Sequence, residues 1–195
     1  MTVTASNEYY LFMSQKRHAY QDLIMLFNDC FADYNTRLVK GADEPVYLPA
    51  SELCSYHQII FAHGYFSSAL HEISHWLIAG PQRRLKEDFG YWYRPDGRNE
   101  DEQKAFEQVE VKPQAIEWIL SQAAGYRFYI SADNLNGEAT DNSSFKEAVY
   151  HQVVDYAEHG LSKRAQSFRE ALVAFYGTGD PKAPILLDAF HIGAI

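Results

Sequence analysis

Two histidines four residues apart, His71 and His75, enclose Glu72 in the run His71-Glu72-Ile73-Ser74-His75. On a helix, four residues at 3.6 per turn bring the two imidazoles to within about 40° of each other on one face. Neutral imidazoles so placed can share one ion of zinc, iron, nickel or copper. A third ligand from elsewhere would leave open positions for water, dioxygen or substrate. Glu72 lies about 100° round from His71, where it could act as general base on a metal-bound water or support the ligands in another chemistry. The carboxylates best placed to complete the set are Glu107 and Glu110, which share a face one turn apart. Glu110, between Val109 and Val111, has the more apolar setting and is favoured over Glu107. His63, standing after an apolar strand and before Gly64, could point into the same cavity or make a structural hydrogen bond.

Other metal architectures need other spacings. No histidine is followed two positions later by Asp or Glu, and only Glu72 to His75 fits the Glu-x-x-His pattern of a two-metal bundle, so a mononuclear site is the reading left. Asp88-Phe89-Gly90 spells a kinase magnesium motif but lacks the glycine-rich loop and the catalytic string that accompany it. Tyr91, Trp92, Tyr93 and Arg98 could line a pocket for a cationic side chain, or simply pack.

These groups need elements to hold them. Residues 66 to 79 read as the helix that carries the histidines, stopped by Gly80-Pro81. Before it, apolar residues at helical spacing over 8 to 31 predict an amphipathic helix. Residues 44 to 50, bracketed by prolines, read as an edge segment, and Gln58 to Ala62 as a buried strand. After it come an aromatic strand at Phe89 to Tyr93 and a turn at Pro95-Asp96-Gly97. Asn99 with Glu102 forms a capping-box pattern opening a helix to Ala124, in which Pro113 is best placed as the first residue of a restarted helix. Two further helices, about 144 to 157 and 161 to 176, end before Gly160 and Gly177. The fold class expected is α+β: one predominantly helical domain over residues 1 to 195, with a small β-sheet and the histidine helix at its core. The catalytic core spans about 20 to 176, leaving both ends peripheral.

Composition narrows the function. A chain of 195 residues with 47% hydrophobic residues buries roughly 70% of its unfolded surface, enough for a core without staples. With 17 Lys+Arg against 26 Asp+Glu, the net charge of −9 opposes a nucleic-acid partner. Cys30 and Cys54 stand isolated, giving no CxxC site, and read as buried structural thiols. The first residues carry charges before any apolar run forms, and nowhere do 18 apolar residues run together. A cytoplasmic protein without membrane contact, and a monomer, is the expectation.

Longer strings are more specific than the five-residue motif. FAHGYFSSALHEISHWLIAG, DFGYWYRPDGR, FEQVEVKPQA, AAGYRF and SADNLNG, with FNDCFADYNTRL and EPVYLPA before them, resemble the elongation factor P hydroxylase family over about residues 20 to 175. The resemblance implies a bacterial oxidoreductase that uses O2 to hydroxylate the β-lysylated lysine of translation elongation factor P, a post-translational modification. It also implies a metal set of His71, His75 and, from VEVKP, Glu110, the kind of set that suits iron(II), although zinc or another divalent ion could occupy a purified sample. Glu72, Asp88, Asp96 or Asp133 could offset the cationic substrate arm, with Tyr91, Tyr93 and Arg98 beside them. The competing readings are a zinc metallopeptidase of HExxH type and a binding module with a structural metal, for which His63 is the nearest extra ligand.

Overall fold

The computed structural model describes residues 18 to 88, 98 to 131 and 142 to 195. Five α-helices are found among them: α1 (Tyr20–Cys30), α2 (Phe66–Ile78), α3 (Glu100–Ala124), α4 (Ser143–His159) and α5 (Lys163–Tyr176). Three strands, β1 (Thr36–Lys40), β2 (Val46–Leu48) and β3 (His57–Phe61), form a sheet in the order β1-β3-β2. β3 pairs parallel to β1 and antiparallel to β2. The fold is therefore α+β and mostly helical, as expected, and no helix among the described residues is long and apolar enough to cross a membrane.

The central strand follows from its alternation, with Ile59 and Phe61 buried on one face. β1 was not anticipated, although Thr36 and Leu38 alternate inward in the same way. Flanked by charged residues, so short a run gives too little pattern to read alone. From β3 the chain turns into α2 through His63 and Gly64, both left-handed (φ 56° and 71°). The positive φ favours glycine at position 64, where a Cβ would also lie 2.9 Å from the flexible end of the Lys40 side chain and 3.3 Å from Tyr20. The backbone N–H of Ala62 donates to Ser68 Oγ at 3.1 Å, tying the strand's end to the first turn of α2.

Phe66, Ala69, Leu70, Ile73, Trp76 and Leu77 bury one face of α2 and leave His71, Glu72 and His75 on the other. At the helix end, Arg84 Nη1 and Arg164 Nη2 donate to the carbonyl of Ala79 at 3.0 and 2.6 Å, cations set against the negative pole of the helix.

α3 begins with the expected capping box between Asn99 and Glu102. The expected restart at Pro113 does not occur: the helix runs unbroken for 25 residues with Pro113 inside it. A proline removes one rung of the helical ladder. Here residues 113 to 121 are buried without interruption, so packing on every side holds the helix across the missing bond. One side of α3 (Ile116, Leu120, Ala123) joins a cluster with α1, α2 and α5, built on Phe27, Leu70, Ile73 and Phe168. The other (Ala115, Trp118, Ile119) joins Phe145, Val149, Val153 of α4 and Phe190 near the C-terminus.

The cysteines differ from expectation. Cys30 is exposed and Cys54 half-buried, both free, because at the end of α1 the core positions go to Phe27 and Phe31. The aromatic strand at 89 to 93 and the turn at 95 to 97 lie outside the described residues, as does the start of the first predicted helix.

Candidate metal centre

α2 lies against α3, and beside the apolar cluster that the two helices share runs a polar seam. Along α3, Glu110, Gln114, Glu117 and Ser121 recur at helical spacing as a buried stripe between two apolar sides. The half-buried His71 and His75 of α2 face it, their Nε2 atoms 3.1 Å apart. One oxygen of Glu110 lies 3.3 Å from His75 Nε2 and the other 3.5 Å from His71 Nε2. His71, His75 and Glu110 are the group of His, Cys, Asp and Glu side chains, among the described residues, that could hold a metal ion.

The spacing can be tested against coordination chemistry. Two N or O ligands each about 2.1 Å from one ion, at 90 to 109° to each other, lie about 3.0 to 3.4 Å apart. The separations of 3.1 and 3.3 Å fall within that range, and the third, 3.5 Å, lies just beyond it. Donor type agrees too. His71 Nδ1 bonds Glu117 Oε2 at 2.9 Å, so when the ring is neutral its proton sits there and the lone pair of Nε2 turns toward Glu110 and His75, as a metal ligand requires.

Burial disfavours protonation of His71, but the hydrogen bond to Glu117 and the charges of Glu117, Glu110 and Glu72 prevail and hold its pKa well above the usual histidine value. Burial pushes Glu72 and Glu117 up, against the pull of the imidazoles. Burial would also raise Glu110, yet the nearby histidines and Gln114 bring its carboxyl down to about 2, leaving it an anion. This collection of carboxylates around two imidazoles attracts a cation.

Two cavities border the group. A cleft of about 460 Å³ is lined by His71, Glu72, Glu117, Ser67, Ser68, Pro45 and the segment Tyr126 to Ser131. A small chamber of about 30 Å³ touches His75 and Glu72 from the other side, beside Tyr47, Ile59, Trp76 and Asp88. Glu72 borders both.

Of the remaining candidate residues, Asp88 lines the small chamber, and the others described stand outside the donor group. Glu107 stands one turn before Glu110 and accepts from Gln103 Nε2 at 3.1 Å, outside the three-donor group. His63 is exposed, with its ring against Tyr65, because its left-handed backbone turns it out of the strand; it does not line the cleft. Asp88 pairs with Arg83, and its backbone bridges Tyr47. Arg98 is buried, its Nε donating to Gln103 at 2.9 Å and its guanidinium 3.8 Å over the ring of Phe106. Tyr91, Tyr93, Asp96 and Asp133 lie outside the described residues.

Sequence reasoning missed Glu117, Gln114 and the cleft wall at Tyr126, Phe128 and Tyr129. Glu117 had left a signal: a carboxylate inside the apolar run Ala115-Ile116-Glu117-Trp118-Ile119-Leu120, two turns from Glu110, cannot reach water and must have a partner.

Fold and donor group together define a class: α+β proteins in which two histidines of one helix and a carboxylate of its neighbour can hold a single divalent ion beside an open cleft. Within it, the chain belongs to the elongation factor P hydroxylase family (EpmC), whose sequence profile matches residues 26–184. It is 63% identical over 164 residues to the elongation factor P lysine hydroxylase of Haemophilus influenzae (strain ATCC 51907 / DSM 11121 / KW20 / Rd), an alignment covering 84% of this chain and 92% of that protein.

Proposed function

We propose that the protein is an oxidoreductase that hydroxylates a lysine of translation elongation factor P after a β-lysyl group has been attached, using one iron(II) ion and O2. The observation that carries this reading is the three-donor group beside the cleft, in a chain so similar to an elongation factor P lysine hydroxylase. His71, His75 and Glu110 would hold the ion. Bound there, it would supply the redox chemistry with O2 that amino-acid side chains lack, and leave coordination positions open.

The chain's own residues then have separate tasks. Glu117 holds the proton of His71 on Nδ1 and keeps that ring turned toward the donor group. Glu72 and Glu117 put negative charge on the cleft wall, where a lysyl ammonium group would be met. Tyr126, Phe128 and Tyr129 offer ring surface along which the methylene chain can lie and from which water is displaced. The overall conversion inserts one oxygen atom of O2 into a C–H bond and releases the other as water, with two electrons and two protons from an external reductant. Glu72 does not need to serve as base to water, which separates this reading from metallopeptidase chemistry.

The test is intact-mass analysis of β-lysylated elongation factor P after incubation with the protein, iron(II), a reductant and ¹⁸O2, beside a His71→Ala control. One labelled oxygen should be gained, and gained only with the unaltered protein. Substrate cleavage without oxygen would overturn the reading in favour of hydrolysis.

A further inference from the structure

Gln114 links the donor group to the wall of the cleft. Its side chain is 1% exposed and pairs with both backbone groups of Ser131: Nε2 donates to the Ser131 carbonyl at 2.7 Å, and Oε1 accepts from the Ser131 N–H at 3.1 Å. The same Nε2 lies 3.4 Å from Glu110 Oε2. A carboxylate only accepts, while Ser131 presents one donor and one acceptor, so a single orientation of the Gln114 amide satisfies all three contacts. Ser131 in turn ends the segment Tyr126 to Ser131 that lines the cleft. The position of one cleft wall and the position of Glu110 are thus joined through a single buried amide.

We propose that Gln114 is a positioning residue that makes the cleft wall answer to Glu110, so that the lysyl arm is held well only when the three donors are in place. This rests on the reading of the cleft as the substrate site. A buried amide relieved of its acceptor on one side loses one of the three contacts that hold its rotamer, and the two bonds to Ser131 are left less constrained.

The experiment is hydrogen exchange on the full chain, following the Ser131 amide with the Leu120 amide of α3 as internal reference. The unaltered protein is compared with Glu110→Ala, Gln114→Met and the double variant. Ser131 should exchange about tenfold or more faster in each single variant while Leu120 stays protected, and the double variant should add little, since both changes open one link. In turnover, Gln114→Met should raise the KM for β-lysylated elongation factor P more than it lowers kcat. Unchanged Ser131 exchange in Glu110→Ala, or effects that multiply in the double variant, would overturn the proposal. If Gln114→Met fails to fold, the comparison of Glu110→Ala with the unaltered chain decides it. Absence of hydroxylation by the unaltered protein would instead count against the function proposed above, leaving the exchange result to stand for itself.

Discussion

Glu117 shows how one side chain sets the chemistry of another. It is buried, and its partner His71 Nδ1 stands 2.9 Å away. Truncation to Ala would leave the ring free to turn and its N–H without an acceptor. Metal affinity measured by competition with a chelator should fall about 10- to 100-fold in Glu117→Ala, with the helical circular dichroism retained. Tyr176 gives a different prediction at the same scale. Burial, then the charge of Asp22, whose Oδ2 accepts from the Tyr176 hydroxyl at 3.4 Å, raise its pKa, and burial also raises Tyr47 and Tyr156. The fold therefore prefers these phenols protonated. The stability they contribute is fully present below the ordinary tyrosine pKa of about 10 and is lost as pH rises beyond it. Urea midpoints should drop on the alkaline side of pH 10, and Tyr176→Phe should flatten that fall; an equal fall in both proteins would show that Tyr176 has no part in it.

α3 is the element on which the site depends most. Its first turn is exposed and held by the reciprocal bonds of Asn99 and Glu102, both 3.0 Å. Asn99→Ala should cost about 1 kcal/mol in urea unfolding, while Asn99→Asp should cost far less. The capping box was legible in the sequence because its chemistry is local: both partners lie within four residues. Pro113 was not, because the proline rule describes a helix on its own, and the packing that carries α3 through it comes from α2, α4 and α5. The same contrast separates α2, whose ends and histidine face could be read from its residues, from β1, whose pairing with β3 depends on a strand 21 residues further on.

Over the whole molecule, α3 stands between two apolar clusters and contributes to both. Neither can lose its order without exposing a side of that helix. Phe168→Ala in the first cluster and Phe145→Ala in the second should each destabilise the protein by about 3–5 kcal/mol. In each variant, tryptophan fluorescence and circular dichroism should move together as one transition. Two separated transitions would show that the clusters fold independently. The polar stripe of α3 lies between the clusters, so the donor group is braced from both sides, which keeps Glu110 within 3.5 Å of the imidazoles.

The residues alone determined the helix that bears the histidines, their common face, the chemistry open to them and, through long matching strings, the family. All of these depend on side-chain type and on spacing within one turn or one segment. Only the tertiary structure decided that Glu110 and not Glu107 stands with the histidines, that Glu117 orients His71 across 46 positions of sequence, and that Tyr126 to Ser131 form the cleft wall. The face a helix presents to its neighbour is set by how both pack on a shared core, and no single segment carries that information.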